Sequence, residues 1–211
     1  MTDLINALVL LSNFVLIPAI TYGSQLALGA LGITIIYGIL RFANFAYGDL
    51  MAFATTFTIL FTWYFQSIGI SFGVLPTALL AIPFAIIVTI IFCLITDKLV
   101  FGYYRIKKSP SVTIAMVSLG VMFVTNAIVR IIIGPYDRRF ADGERFIIRA
   151  NEFKEMTGLN EGLAIKSTQV LTIVITIIVV SLLFWFLNKT KTGKSMRAYS
   201  DNEDLALLSG I

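Results

Sequence analysis

Charged side chains are scarce in this sequence, and histidine is absent from it. Asp, Glu, Lys and Arg together supply 13% of the 211 residues, whereas soluble domains usually carry about 25%. Hydrophobic residues supply 58% of the chain. Since so few charges cannot cover a water-facing surface, the composition excludes an ordinary soluble globular protein and indicates that lipid is the solvent.

Cysteine occurs once, as Cys93, inside an apolar run. A single cysteine excludes a disulfide within the chain, and the lack of histidine disfavours a metal site. We therefore expect no metal, no cofactor and no catalytic residue. The net charge of +4 comes from basic residues beside apolar segments, a pattern typical of membrane proteins and not of nucleic-acid-binding proteins.

Several long stretches lack charge altogether. Residues 4–40 carry none, residues 42–96 carry only Asp49, and residues 109–129 and 167–188 again carry none. About 20 apolar residues cross a bilayer as a helix. The sequence therefore predicts an all-α, polytopic transmembrane bundle of five to six spans, five of which are placed at 17–40, 48–66, 75–96, 110–133 and 168–188.

The apolar segment 4–20 leaves three alternatives open. It could be a sixth span, an interfacial helix or an early part of the first span. Pro18 and Gly23 are residue types at which a helix can break. We favour an extension of the first span or a re-entrant piece.

Basic residues determine the predicted orientation, since cytoplasmic loops carry an excess of Lys and Arg. Residues 97–108 and 189–197 are each rich in basic residues, whereas acids and bases balance in the segment 134–166. The basic segments are therefore predicted to be cytoplasmic and the loop 134–167 external. That loop is long enough to carry a short helix near residues 151–157.

Polar residues in the segment 41–49 separate two spans with hardly any hydrophilic loop. Asn44 or Asp49 can cap a helix N-terminus, where backbone N–H groups lack partners. Alternatively, the segment is a broken helix whose irregular backbone lines a cavity or a subunit contact. Within the fourth span, Arg130 is expected to snorkel to the outer interface and Asn126 to tie two helices together.

The last twenty residues combine acids with leucines in the pattern of a short amphipathic helix. Ser200 or Asp201 is expected to cap it, with Glu203 or Asp204 closing a capping box. Leu205 and Leu208 then fall on one face. This helix either packs on the base of the bundle, lies among lipid headgroups, or docks on a cytoplasmic subunit.

The triplet 193–195, Gly-Lys-Ser, resembles the end of a phosphate-binding loop, but Asn188 stands where that pattern requires glycine. A membrane span also precedes it in place of a strand. We therefore expect ATP hydrolysis on separate subunits and not on this chain.

Two segments together resemble the LivH-type permease subunit of branched-chain amino acid ABC transporters. The first is Asn44-Phe45-Ala46-Tyr47-Gly48-Asp49, in which the family commonly has histidine where this chain has Tyr47. The second, residues 192–198 followed by Asp201, is similar to the family's cytoplasmic loop that contacts the ATPase. The resemblance runs from about residue 20 to the end. Family members run longer, so we expect residues 1–211 to be one permease domain from the N-terminal portion of a longer protein.

The resemblance implies a division of labour in the bacterial cytoplasmic (inner) membrane. An extracytoplasmic binding protein delivers the substrate, two homologous permease subunits form the path, and two cytoplasmic ATPase subunits drive transport. The segment 189–211 is then the ATPase-docking loop, with candidate contacts at Gly193, Arg197, Asp201, Glu203, Leu205 and Leu208. A zwitterion with an aliphatic side chain needs apolar walls with a few amide and hydroxyl groups. The candidates for that path are Thr21, Ser24, Gln25, Thr34 and Asn44.

Three other functions stay open at this point. Closely similar permeases import urea or short amides. An ion-coupled secondary transporter usually keeps ionisable residues at mid-membrane, and only Asp49 is a candidate here. A membrane anchor or assembly factor would bind partners without supporting any flux.

Overall fold

The computed structural model describes residues 2–70, 75–134, 136, 146–201 and 206. Within these residues the chain is helical apart from turns and one short pair of antiparallel strands, and the predicted all-α class is confirmed. The chain divides into two compact units, Met1–Ile39 with Glu144–Ile211 and Leu40–Gly143. In chain order the elements are α1 Thr2–Leu11, a π-helical turn Ser12–Leu16, α2 Ile17–Leu40, α3 Tyr47–Ser67, α4 Ala78–Thr96, a π-helical turn Asp97–Phe101, α5 Gly102–Ile106, α6 Ser111–Ile133, β1 Phe146–Ile148, α7 Ala150–Thr157, β2 Ile165–Lys166, α8 Ser167–Lys189 and α9 Lys191–Asp201.

The first helix begins well before the first predicted span. Helices α1 and α2 join through the π-helical turn into one run, Asp3–Leu40, of 38 residues. Proline lacks an N–H and its ring clashes with the carbonyl four residues earlier. For Pro18 that carbonyl belongs to Phe14, inside the widened turn, which lets the helix continue. The helix is therefore not broken at Pro18 or Gly23, and of the favoured alternatives the structure has the extension of the first span, not a re-entrant piece.

Four helical runs of the described chain are long and apolar enough to cross a membrane: Asp3–Leu40, Ala78–Ile106, Ser111–Ile133 and Ser167–Lys189. They cover four of the five predicted spans. Two of them, Ser111–Ile133 and Ser167–Lys189, have the predicted ends to within a residue, whereas Asp3–Leu40 begins 14 residues before the predicted 17–40 and Ala78–Ile106 continues ten residues beyond the predicted 75–96. The fifth prediction, 48–66, is the helix α3, which has 21 residues. This helix is less apolar because it carries Thr55, Thr56, Thr58 and Thr62, whose hydroxyls each donate to the carbonyl four residues earlier.

Aromatic rings hold α3 and α4 together in the unit Leu40–Gly143. Phe53 stacks on Phe92 with ring centroids 4.3 Å apart, and Phe65 meets Phe84 edge-on at 5.7 Å. The order of these pairs shows that the two helices run antiparallel. Such pairs each contribute about 0.5–1.5 kcal/mol beyond the area that they bury.

In the other unit, the loop between α6 and α8 contains the predicted short helix, α7, and the strands β1 and β2. The amide of Asn13, in the π-helical turn, holds this loop through its backbone. Its Nδ2 donates to the carbonyl of Gly162 (3.5 Å), and its Oδ1 accepts from the N–H of Ala164 (3.3 Å). Asn13 therefore lies beside the start of α8. The residues of α1 that precede Asn13 extend the long helix beyond the start of α8.

Candidate functional site

The segment 41–46 interrupts the helical chain between α2 and α3. Arg41 has a φ of 57°, a left-handed conformation that non-glycine residues adopt rarely. The chain becomes helical again at Tyr47. We call residues 41–46 the helix break.

Two backbone N–H groups of the helix break donate hydrogen bonds to side chains. The Ser118 hydroxyl on α6 accepts from the N–H of Phe45 at 3.0 Å and donates to the carbonyl of Ala115 at 2.6 Å. Asn44 Oδ1 accepts from the N–H of Ala46 at 3.1 Å. Ser118 and Ala46 are both completely buried. In lipid each such group left unpaired would cost several kcal/mol, so these side chains are what allow an irregular backbone here.

The helix break lies further from the end of the neighbouring helix α6 than a loop that joins two spans usually does. Ser118 is seven residues into α6, about 10 Å from the start of that helix. Phe42 packs against Phe101, at the end of the second π-helical turn, with ring centroids 6.1 Å apart. The break is therefore set back from residues 107–110, where α5 and α6 meet. This placement fits the broken-helix interpretation. Asn44 does not cap α3, because its Oδ1 accepts from the N–H of Ala46, the N-cap residue itself, which has no side-chain cap.

Asp49 lies in the first turn of α3 but does not cap it, since the N-cap residue is Ala46. Its carboxylate instead accepts from Asn126 Nδ2 at 3.1 Å, and Asn126 Oδ1 accepts from Arg130 Nε at 2.9 Å. The amide thus links a negative charge on α3 to a positive charge on α6. The prediction that Asn126 ties two helices together is confirmed. The spacing of four residues between Asn126 and Arg130 was a hint of this arrangement that could be read before the structure.

The four candidate path residues on α2 do not form a single row. Thr21, Ser24 and Gln25 share one face, but Thr34 lies about 140° around the helix from Thr21. The hydroxyls of Thr21, Ser24 and Thr34 donate to the carbonyls of Ile17, Ile20 and Ala30 at 2.7–2.8 Å. Their oxygens keep lone pairs for a ligand, but their protons are engaged in the helix itself. The path remains a prediction.

Helix α9 begins ten residues earlier than predicted. Thr190 has extended backbone angles, and its Oγ1 accepts from the N–H of Gly193 at 3.0 Å, which makes it the N-cap. Ser200 and Asp201 lie within α9, nine and ten residues after its start at Lys191, so their expected role as N-caps is wrong. Two competing capping signals stand in this segment, and the one nearer to α8 is used. Glu203, Leu205 and Leu208 lie outside the described residues.

Two of the predicted docking residues hold α9 against the end of α8. A Cβ atom on Gly193 would overlap the carbonyl oxygen of Phe186 and stand 2.7 Å from the Cα of Leu187. No side chain other than hydrogen fits there without moving backbone. Arg197 Nη1 donates to Asn188 Oδ1 at 2.9 Å. Gly193 and Arg197 therefore shape the corner between α8 and α9.

A cavity of about 520 Å³ lies between α6 and the run from α4 to α5. Its lining is apolar apart from a few hydroxyl groups, among them those of Thr96 and Thr125. Both of these donate to carbonyls of their own helices. Since the lining residues carry no charge, the cavity suits an apolar group better than an amino acid's ammonium and carboxylate.

The chain matches the family described as the permease component of the branched-chain amino acid transport system over residues 15–211, which include the helix break and α9. No curated protein and no solved structure matches it. Because the match covers nearly the whole sequence, this multi-pass membrane protein belongs to the family of branched-chain amino acid transport permeases.

Proposed function

We propose that this chain is the membrane-spanning permease subunit of an ATP-binding cassette importer for branched-chain amino acids. An extracytoplasmic binding protein delivers the substrate, a second homologous permease completes the path, and two cytoplasmic ATPase subunits supply the energy. The bacterial cytoplasmic membrane is its location. The observation that carries this proposal is the family match over residues 15–211.

The polar groups of the described spans suit this substrate class. A branched-chain amino acid needs apolar walls and a few amide or hydroxyl groups for its charged ends. Asn44 at the helix break and the row Thr21, Ser24 and Gln25 on α2 are the groups we assign to that role. Asp49 on α3 and Arg130 on α6 both contact Asn126.

The corner between α8 and α9 supports the assignment of the ATPase-docking loop. Gly193 and Arg197 hold α9 close to the end of a span. Asp201, Glu203, Leu205 and Leu208 follow Arg197 in the sequence and are the residues we assign to the contact with the ATPase. We further assign the loop 134–167 to the outer face.

Uptake into proteoliposomes tests the proposal. The complete transporter, purified with its partner subunits and binding protein, should accumulate radiolabelled leucine only when ATP is inside and the binding protein outside. Excess unlabelled isoleucine or valine should compete for uptake, whereas urea and acetamide should not. Uptake that continues without ATP but stops when an ion gradient is collapsed would instead identify a secondary transporter.

A further inference from the structure

The C-terminal end of α2 receives a hydrogen bond from α9. The last four carbonyls of a helix have no partner within it, and for α2 these include the carbonyl of Gly38. The hydroxyl of Ser200, 162 residues later in the sequence, donates to the oxygen of Gly38 at 2.9 Å. Ser200 is partly buried in this contact.

Helix α9 thus contacts two different spans. Its first turn is fixed to α8 through Thr190 and Gly193. Two turns further along, Ser200 fixes it to α2. Seven residues of helix separate Gly193 from Ser200, a distance of about 10 Å. Because an α-helix of this length is stiff, α9 can act as a short lever between the ends of α8 and α2.

We propose that Ser200 is a positioning residue that transmits a displacement of α9 to the end of α2. This inference rests on the proposed function, in which a cytoplasmic ATPase moves α9. A lever held at Gly193 moves further at Ser200 than it does close to Gly193, and the Ser200 hydroxyl donates to the carbonyl of Gly38. Three residues after Gly38 the chain leaves the helix at Arg41. A pull on Gly38 therefore reaches α2 immediately before the helix break.

Substitutions at the two partners separate this role from simple packing. Ser200→Ala removes the donor and leaves the Gly38 carbonyl without this hydrogen bond. Ser200→Thr keeps the hydroxyl. Gly38→Ala is the matched control on α2, because a Cβ there would stand 3.6 Å from Ser200 Oγ, an ordinary contact, and the carbonyl remains available.

The experiment uses the complete transporter in proteoliposomes and measures leucine uptake and ATP hydrolysis in the same preparation. We expect Ser200→Ala to lower the amount of leucine taken up per ATP hydrolysed about five- to tenfold, the factor that one lost hydrogen bond supplies. The amount of ATPase in the purified complex and the rate of ATP hydrolysis should stay within about twofold of the wild type. Ser200→Thr and Gly38→Ala should both retain the wild-type ratio.

A wild-type ratio in the Ser200→Ala complex would overturn the inference. So would a complex that loses its ATPase subunits, or one in which uptake and hydrolysis fall together, because both indicate a structural role. Loss of the ratio in Ser200→Thr as well would show that the hydroxyl is not what matters. Failure of the wild-type complex to take up leucine with ATP is a different result, which refutes the proposed function itself.

Discussion

Ser118 and Asn126 show how single side chains on α6 make an irregular backbone and a charge compatible with lipid. One hydroxyl pairs the N–H of Phe45, and one amide lies between Asp49 and Arg130. An aspartate or arginine side chain has only one kind of hydrogen-bonding group when ionised: the carboxylate accepts and the guanidinium donates. The amide of Asn126 has both kinds, so it can bridge the two charges.

Removing the hydroxyl of Ser118 should destabilise the unit Leu40–Gly143. Ser118→Ala leaves the N–H of Phe45 buried without this partner, and such a loss costs about 1–3 kcal/mol. We expect a clearly lower midpoint of thermal unfolding for the purified protein in detergent. Ser67→Ala is the control: Ser67 lies on the exposed end of α3, so its change should be within about 0.5 kcal/mol. Equal midpoints for the two variants would contradict this account of the helix break.

The bridge through Asn126 predicts an energetic coupling between α3 and α6. Asn126→Ala removes the partner of Asp49, and hydrogen bonds to charged groups contribute about 1.5–3 kcal/mol. In a double-mutant cycle with Asp49→Ala, measured by unfolding in detergent, the coupling energy should exceed about 1 kcal/mol. A cycle between Asn126→Ala and Ser67→Ala, at the other end of α3 from Asp49, should show no coupling. Additive effects of Asp49→Ala and Asn126→Ala would show that the bridge contributes no stability.

At the scale of the helix, the corner between α8 and α9 depends on the absence of a side chain at Gly193. Gly193→Ala would place a methyl group against the backbone of Phe186 and Leu187, so α9 must move. We expect this variant to lose Thr190 as its N-cap and to expose residues 190–201 to limited proteolysis. Gly29→Ala in α2 is the control, because nothing lies within 4 Å of its Cβ position and alanine favours a helix by about 1 kcal/mol. Equal proteolysis of both variants would contradict the tight corner.

Helices were the part of this structure that the sequence predicted best. The predicted ends of the spans 110–133 and 168–188 agree to within a residue with α6 and α8, and the first span ends at residue 40 as predicted. Charged residues lie close to most of these ends, because an unpaired charge is costly in lipid. The start of α9 was predicted wrongly, since Thr190 and Ser200 are both good caps and only the packing at Gly193 decides between them.

The contacts between distant helices were not predictable in the same way. The pairs Asp49 with Asn126, Ser118 with Phe45, and Ser200 with Gly38 are separated by 77, 73 and 162 residues. Periodicity and capping rules describe neighbours along the chain, and they carry no information on which helix lies beside which. A polar residue in an apolar span does predict that some partner exists, but not its identity.

At the scale of the whole protein, the proposed function makes α9 and the residues after it the place where ATPase subunits bind. Leu205→Asp or Leu208→Asp should release the ATPase subunits while the permease stays in the membrane, because a carboxylate cannot be buried in an apolar contact without a large cost. Co-purification through a tag on the permease measures this. Met156→Asp, on the exposed helix α7, is the control and should keep the ATPase bound. Full recovery of ATPase with both leucine variants would exclude the loop as the docking element.

The proposed function requires α7 and α9 to lie on opposite sides of the membrane, with α9 in the cytoplasm. Labelling with a membrane-impermeant maleimide tests it most directly in sealed right-side-out vesicles, on a Cys93→Ser background. Lys154→Cys and Lys194→Cys place single thiols at exposed positions of α7 and α9. The Lys154→Cys protein should react in intact vesicles, and the Lys194→Cys protein only after the membrane is opened. Reaction of the Lys194→Cys protein in intact vesicles would contradict the account.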